Sequence, residues 1–153
     1  MLSERQLKNI QDNQKDKKKI ILVGGCFDLI HPGHITFLTE AKKLGDFLVV
    51  LLESDEAILK LKKKLFQNQD DRGLILQSLR MVDLVIPLHG ILKDHDYYTI
   101  VKKIKPDIIA ITENDRQISN KMKQANETGA ELKIVTKRIL GYSSTDLRKK
   151  MTK

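Results

Sequence analysis

Two histidines three residues apart, His31 and His34, stand in the stretch Gly24-Gly25-Cys26-Phe27-Asp28-Leu29-Ile30-His31-Pro32-Gly33-His34, between an apolar run and a helical pattern. Imidazoles at this spacing share one face of a first helical turn. Backbone N–H groups and the helix dipole already favour an anion there. Gly24 and Gly25 permit close approach of backbone to a ligand, and Pro32-Gly33 turns the chain. Three chemistries suit these residue types. A zinc site could draw on His31, His34, Cys26 or Asp28, but the spacing matches no familiar ligand set. The histidines could cap or pack the helix start. They could also donate hydrogen bonds to a phosphate, a reading that uses the strand end, the glycines and the helix dipole together. Neither G-x-x-x-x-G-K-[ST] nor G-x-G-x-x-G follows the apolar run, so the common phosphate loops are excluded.

The elements that must hold this stretch follow from the periodicity on either side. Residues 19–25, KIILVGG, form a short apolar run ended by glycines, which reads as a buried strand. From about Gly33, Ile35, Leu38, Ala41 and Leu44 recur at helical spacing up to Gly45. Phe47 to Glu53 is a second buried strand, and a helix opens at Ser54 or Asp55. The run DDRGLILQSLRMV is helical, with Asp70 or Asp71 as its cap, and leads to the strand LVIP ending at Pro87. DHDYYTIVKKIK is a helix, Asp107 to Ile111 a strand, DRQISNKMKQANETG a helix closed by Gly129, ELKIV the fifth strand and SSTDLRKKM a closing helix. Strands apolar on both faces and alternating with helices predict a doubly wound parallel α/β sheet, five strands wide, with helices on both faces. Ligands of such sheets bind beyond the carboxyl ends of the strands, where the histidine stretch lies. Residues 1–18 are polar and read as an extension, a frayed helix or a tail, before a single domain over 19–153.

With 153 residues, 41% of them hydrophobic, the chain suits one domain with a real core. Its apolar runs are strand-sized, and the polar N-terminus has no secretory pattern. Cys26 is the only cysteine, so no internal disulfide can form and a cytoplasmic setting is expected. Lys plus Arg outnumber Asp plus Glu by 28 to 20, a net charge of +8 that attracts polyanions or phosphorylated ligands. The aromatic content of 5% gives no stacking surface, so nucleic acid is not the expected partner, and neither is a membrane.

The stretch G-G-C-F-D-L-I-H-P-G-H resembles the G-x-F-D-x-x-H-x-G-H motif of the cytidylyltransferase-like nucleotidyltransferases. Arg138-Ile139-Leu140-Gly141-Tyr142-Ser143-Ser144-Thr145 is similar to that family's second motif, an arginine followed by an I-S-T-T-like run. Arg80 to Pro87 resembles its R-Y-V-D-x-V-I-P stretch. The likeness spans roughly residues 19 to 150 and implies a Rossmann-like fold. It also implies an enzyme that moves a nucleoside monophosphate from a nucleoside triphosphate to a phosphorylated small-molecule acceptor, releasing pyrophosphate. In look it is nearest the heptose-phosphate adenylyltransferase and glycerol-3-phosphate cytidylyltransferase branches, with AMP favoured over CMP.

On that resemblance His31, His34, Lys62 and Arg138 are the catalytic candidates, Lys62 within the Lys60 to Lys64 run. The nucleotide would meet Gly24, Gly25, Cys26, Phe27, Asp28, Gly33, Asn114, Asp115, Ser143, Ser144 and Thr145. Magnesium is expected with the triphosphate; Asp28 either contacts it or pins the loop backbone, and no metal ligand set is assigned. Cys26 reads as a small packing residue. A homodimer is implied, with the Arg80 to Pro87 stretch at its contact. Two departures stand out: no arginine-proline element follows the lysine run, and ITENDRQ replaces a K-G-G-D-like loop beside the base. The acceptor stays open among sugar phosphates, polyol phosphates, phosphorylated amino-alcohols and FMN. The rival classes are a non-catalytic nucleotide sensor and a nucleic-acid-binding module.

Overall fold

The computed structural model describes residues 2–62, 64–137 and 144–152. Among these, the apolar runs form strands β1 (Ile20–Gly25), β2 (Phe47–Leu52), β3 (Leu84–Pro87), β4 (Ile108–Thr112) and β5 (Glu131–Thr136). The helices are α1 (Glu4–Lys15), α2 (Pro32–Lys42), α3 (Asp55–Lys62), α4 (Gln69–Gln77), α5 (Asp94–Ile104), α6 (Ile118–Thr128) and α7 (Ser144–Met151). The strands pair in parallel in the order β3-β2-β1-β4-β5. The order reverses between β1 and β4, so the sheet is doubly wound and its ligand crevice lies at the end of β1.

Strand alternation sorts the side chains into two cores. Ile20, Leu22, Val49 and Leu51 face one way and pack with Ile10 of α1, Ile100, Val101 and Ile104 of α5, and Ala125 of α6. Ile21, Val23, Leu48 and Val50 face the other way, onto Phe37, Leu38 and Ala41 of α2 and Leu76 of α4. Both faces of β2 are buried along its whole length, which explains why FLVVLL is continuous rather than alternating. No described helix is long and apolar enough to cross a membrane.

Local chemistry sets the boundaries, and it shifts several of the expected ones. Pro32 does not turn the chain; it is the first residue of α2, where its missing N–H is no loss. Asn68, not Asp70 or Asp71, caps α4: its Oδ1 accepts from Asp71 N at 2.8 Å. The two aspartates lie inside the first turn instead, where their charge suits the helix dipole. Ser54 caps α3, accepting from Ala57 N at 3.1 Å. Gly45 marks a close approach, for a Cβ there would lie 2.0 Å from Ile21 Cδ1 and 2.8 Å from Lys19 O.

The leading segment, expected as a polar extension, is a docked helix. Ser3 and Gln6 form a reciprocal capping box at 3.2 and 2.9 Å. Ile10 is fully buried, and Gln14 Nε2 donates to the Ile104 carbonyl at 2.9 Å. Ile10, with Leu2 packed against the same core, and amide-to-backbone bonds hold it, so its sequence reads as polar.

Candidate active site

The chain leaves β1 through Gly25 into a strained loop. Phe27 and Leu29 adopt left-handed φ values of 49° and 59°, a conformation costing non-glycine residues about 1–2 kcal/mol each. Two contacts hold it. The Phe27 ring packs where a Cβ on Gly25 would stand, 3.0 Å from Phe27 Cε2. Asp28, fully buried, accepts from the amides of Phe66 and Gln67 at 3.1 and 3.0 Å. Asp28 therefore pins the loop backbone, one of its two expected roles, and ties the histidine loop to the segment that follows the lysine run.

The histidines close on each other at the start of α2. His31 Nδ1 accepts from Gly33 N at 3.1 Å, and His34 Nδ1 accepts from His31 N at 3.3 Å. Their rings stack with centroids 3.8 Å apart, and the Phe27 ring lies tilted against His34 with centroids 5.3 Å apart. Both histidines therefore cap the helix, one of the alternatives read from the sequence. Capping does not displace the phosphate reading; it prepares it. Because each Nδ1 is an acceptor, each neutral ring carries its proton on Nε2 and presents an N–H donor on the side away from the backbone. Burial pushes the His34 pKa down to about 3, helped by His31 and Lys62. Burial also lowers that of His31, opposed by the Asp146 carboxylate. Both rings are neutral donors at physiological pH.

Lys62, exposed at the end of α3, lies close enough for its charge to act on both His34 and Cys26. Burial pushes the Cys26 thiol up, so it stays protonated, in keeping with a packing role. Asp146 reaches His31 from the first turn of α7, bringing that helix start to the same mouth. Thr145 is exposed in that turn, next to Ser144. Arg138 and Ser143 lie outside the described residues. Asn114 is exposed just beyond β4, while Asp115 binds Lys121 Nζ and Gln117 N at 2.6 and 2.7 Å. Those two residues border the mouth but are not drawn against the histidines. Among the described residues, no group of three His, Cys, Asp or Glu side chains could hold a metal ion, and the zinc alternative has no geometry to support it.

Two features escaped the sequence reading. Arg72, fully buried, donates to Cys26 O at 2.6 Å, to Gln67 O at 3.1 Å and to Asp55 Oδ1 at 2.6 Å. It joins the histidine loop, the segment after the lysine run and the start of α3. Its signal was an arginine four residues before Leu76, on the buried stripe of α4. The second is the pair Glu53–Tyr97, in which the phenol donates to both carboxylate oxygens at 2.7 and 2.8 Å. Gln69 closes the strand ends beside it, donating to the carbonyls of Leu52, Glu53 and Leu88 at 3.1, 3.3 and 2.7 Å.

Comparison with known proteins agrees with the fold and the family resemblance. The family model described as cytidylyltransferase-like matches residues 22–150. The FAD synthase of Aciduliprofundum boonei is 36% identical over 83% of this chain and 82% of its own length. The bifunctional protein HldE of Campylobacter concisus is 39% identical over 69% of this chain, which spans only 23% of that longer protein. A lipopolysaccharide core biosynthesis protein of Thermoplasma volcanium superposes with a TM-score of 0.63 at 28% identity, covering 80% of this chain and 97% of the other. With a model match over most of its length, the histidine loop at the switch point and a relative matched over four-fifths of both chains, the chain belongs to the cytidylyltransferase-like family of nucleotidyltransferases.

Proposed function

We propose that the chain is an adenylyltransferase that moves AMP from ATP to a phosphorylated small-molecule acceptor and releases pyrophosphate. The observation that carries this reading is the pair of stacked, neutral imidazoles at the start of α2, each with its Nε2–H free of the backbone. An oxygen of the acceptor's phosphate attacks the α-phosphorus. The new P–O bond forms as the bond to the β-phosphate oxygen breaks, and pyrophosphate leaves with that electron pair. The nucleophile is already an anion, so no general base is needed; positioning and charge stabilisation do the work. His31 and His34 donate to the phosphate oxygens that gain charge, each such fixed donor being worth on the order of 10²–10³ in rate.

Lys62 supplies positive charge at the same mouth, and the start of α7 with Ser143 to Thr145 and Arg138 receives the β- and γ-phosphates. Magnesium enters as part of the triphosphate substrate. Adenine is favoured because several relatives carry the name FAD synthase, whose product contains an adenylyl group.

Thermal unfolding with ATP, CTP, GTP and UTP, each with magnesium, tests the donor. A triphosphate at a hundred times its Kd adds about 2.7 kcal/mol, a shift of several degrees for a chain of this size. ATP is expected to give the largest shift. Equal shifts with all four, or none with ATP, overturn the adenylyl reading.

A further inference from the structure

The mouth of the sheet has a second polar feature that the phosphate chemistry leaves unused. Glu53 directly follows β2, and its N–H donates to Gly25 O at 3.1 Å, which sets it beside Cys26. Leu51, two residues earlier, belongs to the core on the α5 side of the sheet, so Glu53 faces α5, where Tyr97 meets it. The histidines stand on the opposite side, on the helix that packs against the other face. A ligand whose phosphate lies against His31 and His34 and which extends across the end of β1 arrives at Glu53.

The carboxylate there is short of donors. One phenol hydrogen is shared between both of its oxygens, and among the described residues no other donor bonds them. A carboxylate has about four acceptor sites, so most are left open by the described residues. The nearby cations are engaged elsewhere: Arg72 with Asp55 and Lys121 with Asp115, each at 2.6 Å. Tyr97 Oη, while donating, keeps its own lone pairs. Two acceptors therefore stand side by side and want neutral O–H donors. An incoming ammonium suits the place less well, because Arg72 and Lys121 already act on this carboxylate and Lys62 acts on the adjoining Cys26.

We propose that the Glu53–Tyr97 pair is a specificity-determining subsite that receives neighbouring hydroxyl groups of the acceptor, selecting polyhydroxylated phosphate esters over phosphorylated amino-alcohols. The proposal rests on the nucleotidyl-transfer reading above and deepens it. Burial raises the Glu53 pKa, as expected for a carboxyl group whose donors arrive with a ligand.

The test uses the full chain with ATP and magnesium and measures binding and pyrophosphate release with mannose 1-phosphate, FMN and phosphoethanolamine. The first two are separate sources of the same hydroxyl chemistry, a sugar ring and a ribityl chain, and the arm that responds identifies the source. At least one of them is expected to bind and turn over in preference to phosphoethanolamine. Glu53→Gln is expected to raise the KM for that acceptor at least tenfold, with the KM for ATP and the unfolding midpoint unchanged. Tyr97→Phe is expected to shift the same KM in the same direction. A merely structural pair would move the midpoint and leave the preference between acceptors intact. Preference for phosphoethanolamine, binding of neither hydroxylated probe, or an unchanged acceptor KM in Glu53→Gln overturns the inference while ATP stabilisation leaves the enzyme reading standing. Absence of ATP stabilisation overturns both.

Discussion

Replacing Arg72 with methionine keeps most of the side-chain volume and removes every bond the guanidinium makes. The carbonyls of Cys26 and Gln67 lose their donor at a fully buried position, at about 1–3 kcal/mol each. The Asp55 carboxylate is 34% exposed, so water takes over part of its lost contact and its share is about 1 kcal/mol. The total is about 3–7 kcal/mol, a range that overlaps the cost of breaking other buried ion pairs by removing one partner, about 3–5 kcal/mol. For a chain of this length each kcal/mol moves the midpoint by about 2–4 °C, so the unfolding midpoint of Arg72→Met should drop by about 6 °C or more. Arg72→Lys keeps the charge but can reach only one or two of the three acceptors, and should fall between. Because Arg72 fixes the Cys26 carbonyl at the base of the histidine loop, turnover at a temperature where both variants are folded should also fall. A midpoint lowered by less than about 3 °C in Arg72→Met would refute the claim that this arginine holds the loop.

The remaining predictions concern the same loop and its supports. The lowered pKa of His34, about 3, and of His31, means that the unfolded chain takes up protons below about pH 6.5 while the native one does not. Stability is therefore complete above that pH and declines toward pH 3; His34→Gln should flatten the decline, and equal pH slopes in the two proteins would contradict it. Gly45→Ala should lose about 1–3 kcal/mol, because the methyl meets Ile21 and the Lys19 carbonyl; an unchanged denaturant midpoint would show that the turn has room. Asp28→Asn can keep only one of the two amide bonds at full strength, and should cost about 1–3 kcal/mol in chemical unfolding.

The parts of this protein that were legible in its sequence are those written in consecutive residues. Strands β1 to β4 are compact apolar runs, whereas the edge strand β5 mixes Glu131, Lys133 and Thr136 into its sequence and buries no residue fully; the switch from strand to helix around Gly25 and Pro32 is marked by glycine, proline and the histidines together. Where local signals competed, the outcome turned on one hydrogen bond: Asn68 takes the cap of α4 because its side chain reaches Asp71 N, an angle that composition does not reveal. The docking of the leading helix, one of the readings of the polar extension, is hard to see for another reason. Its docking relies on Ile10 and on glutamine amides meeting backbone carbonyls, so it lacks an apolar stripe of ordinary width. Arg72, and Glu53 with Tyr97, depend on contacts between elements 17 to 46 residues apart, which parity along a strand or helix cannot supply. The tautomers of His31 and His34 belong with these. The spacing made the pair visible, but only the reciprocal Nδ1 bonds show which nitrogen faces outward.

The most direct test of the account is pyrophosphate release from ATP and magnesium, with phosphorylated acceptors, by the wild-type chain and by His34→Ala, with ATP binding followed in the same samples. Loss of the Nε2–H donor should lower kcat by on the order of 10²–10³ while ATP still raises the unfolding midpoint. Release by His34→Ala at near the wild-type rate would contradict the role assigned to the stacked imidazoles and, with it, the proposed mechanism.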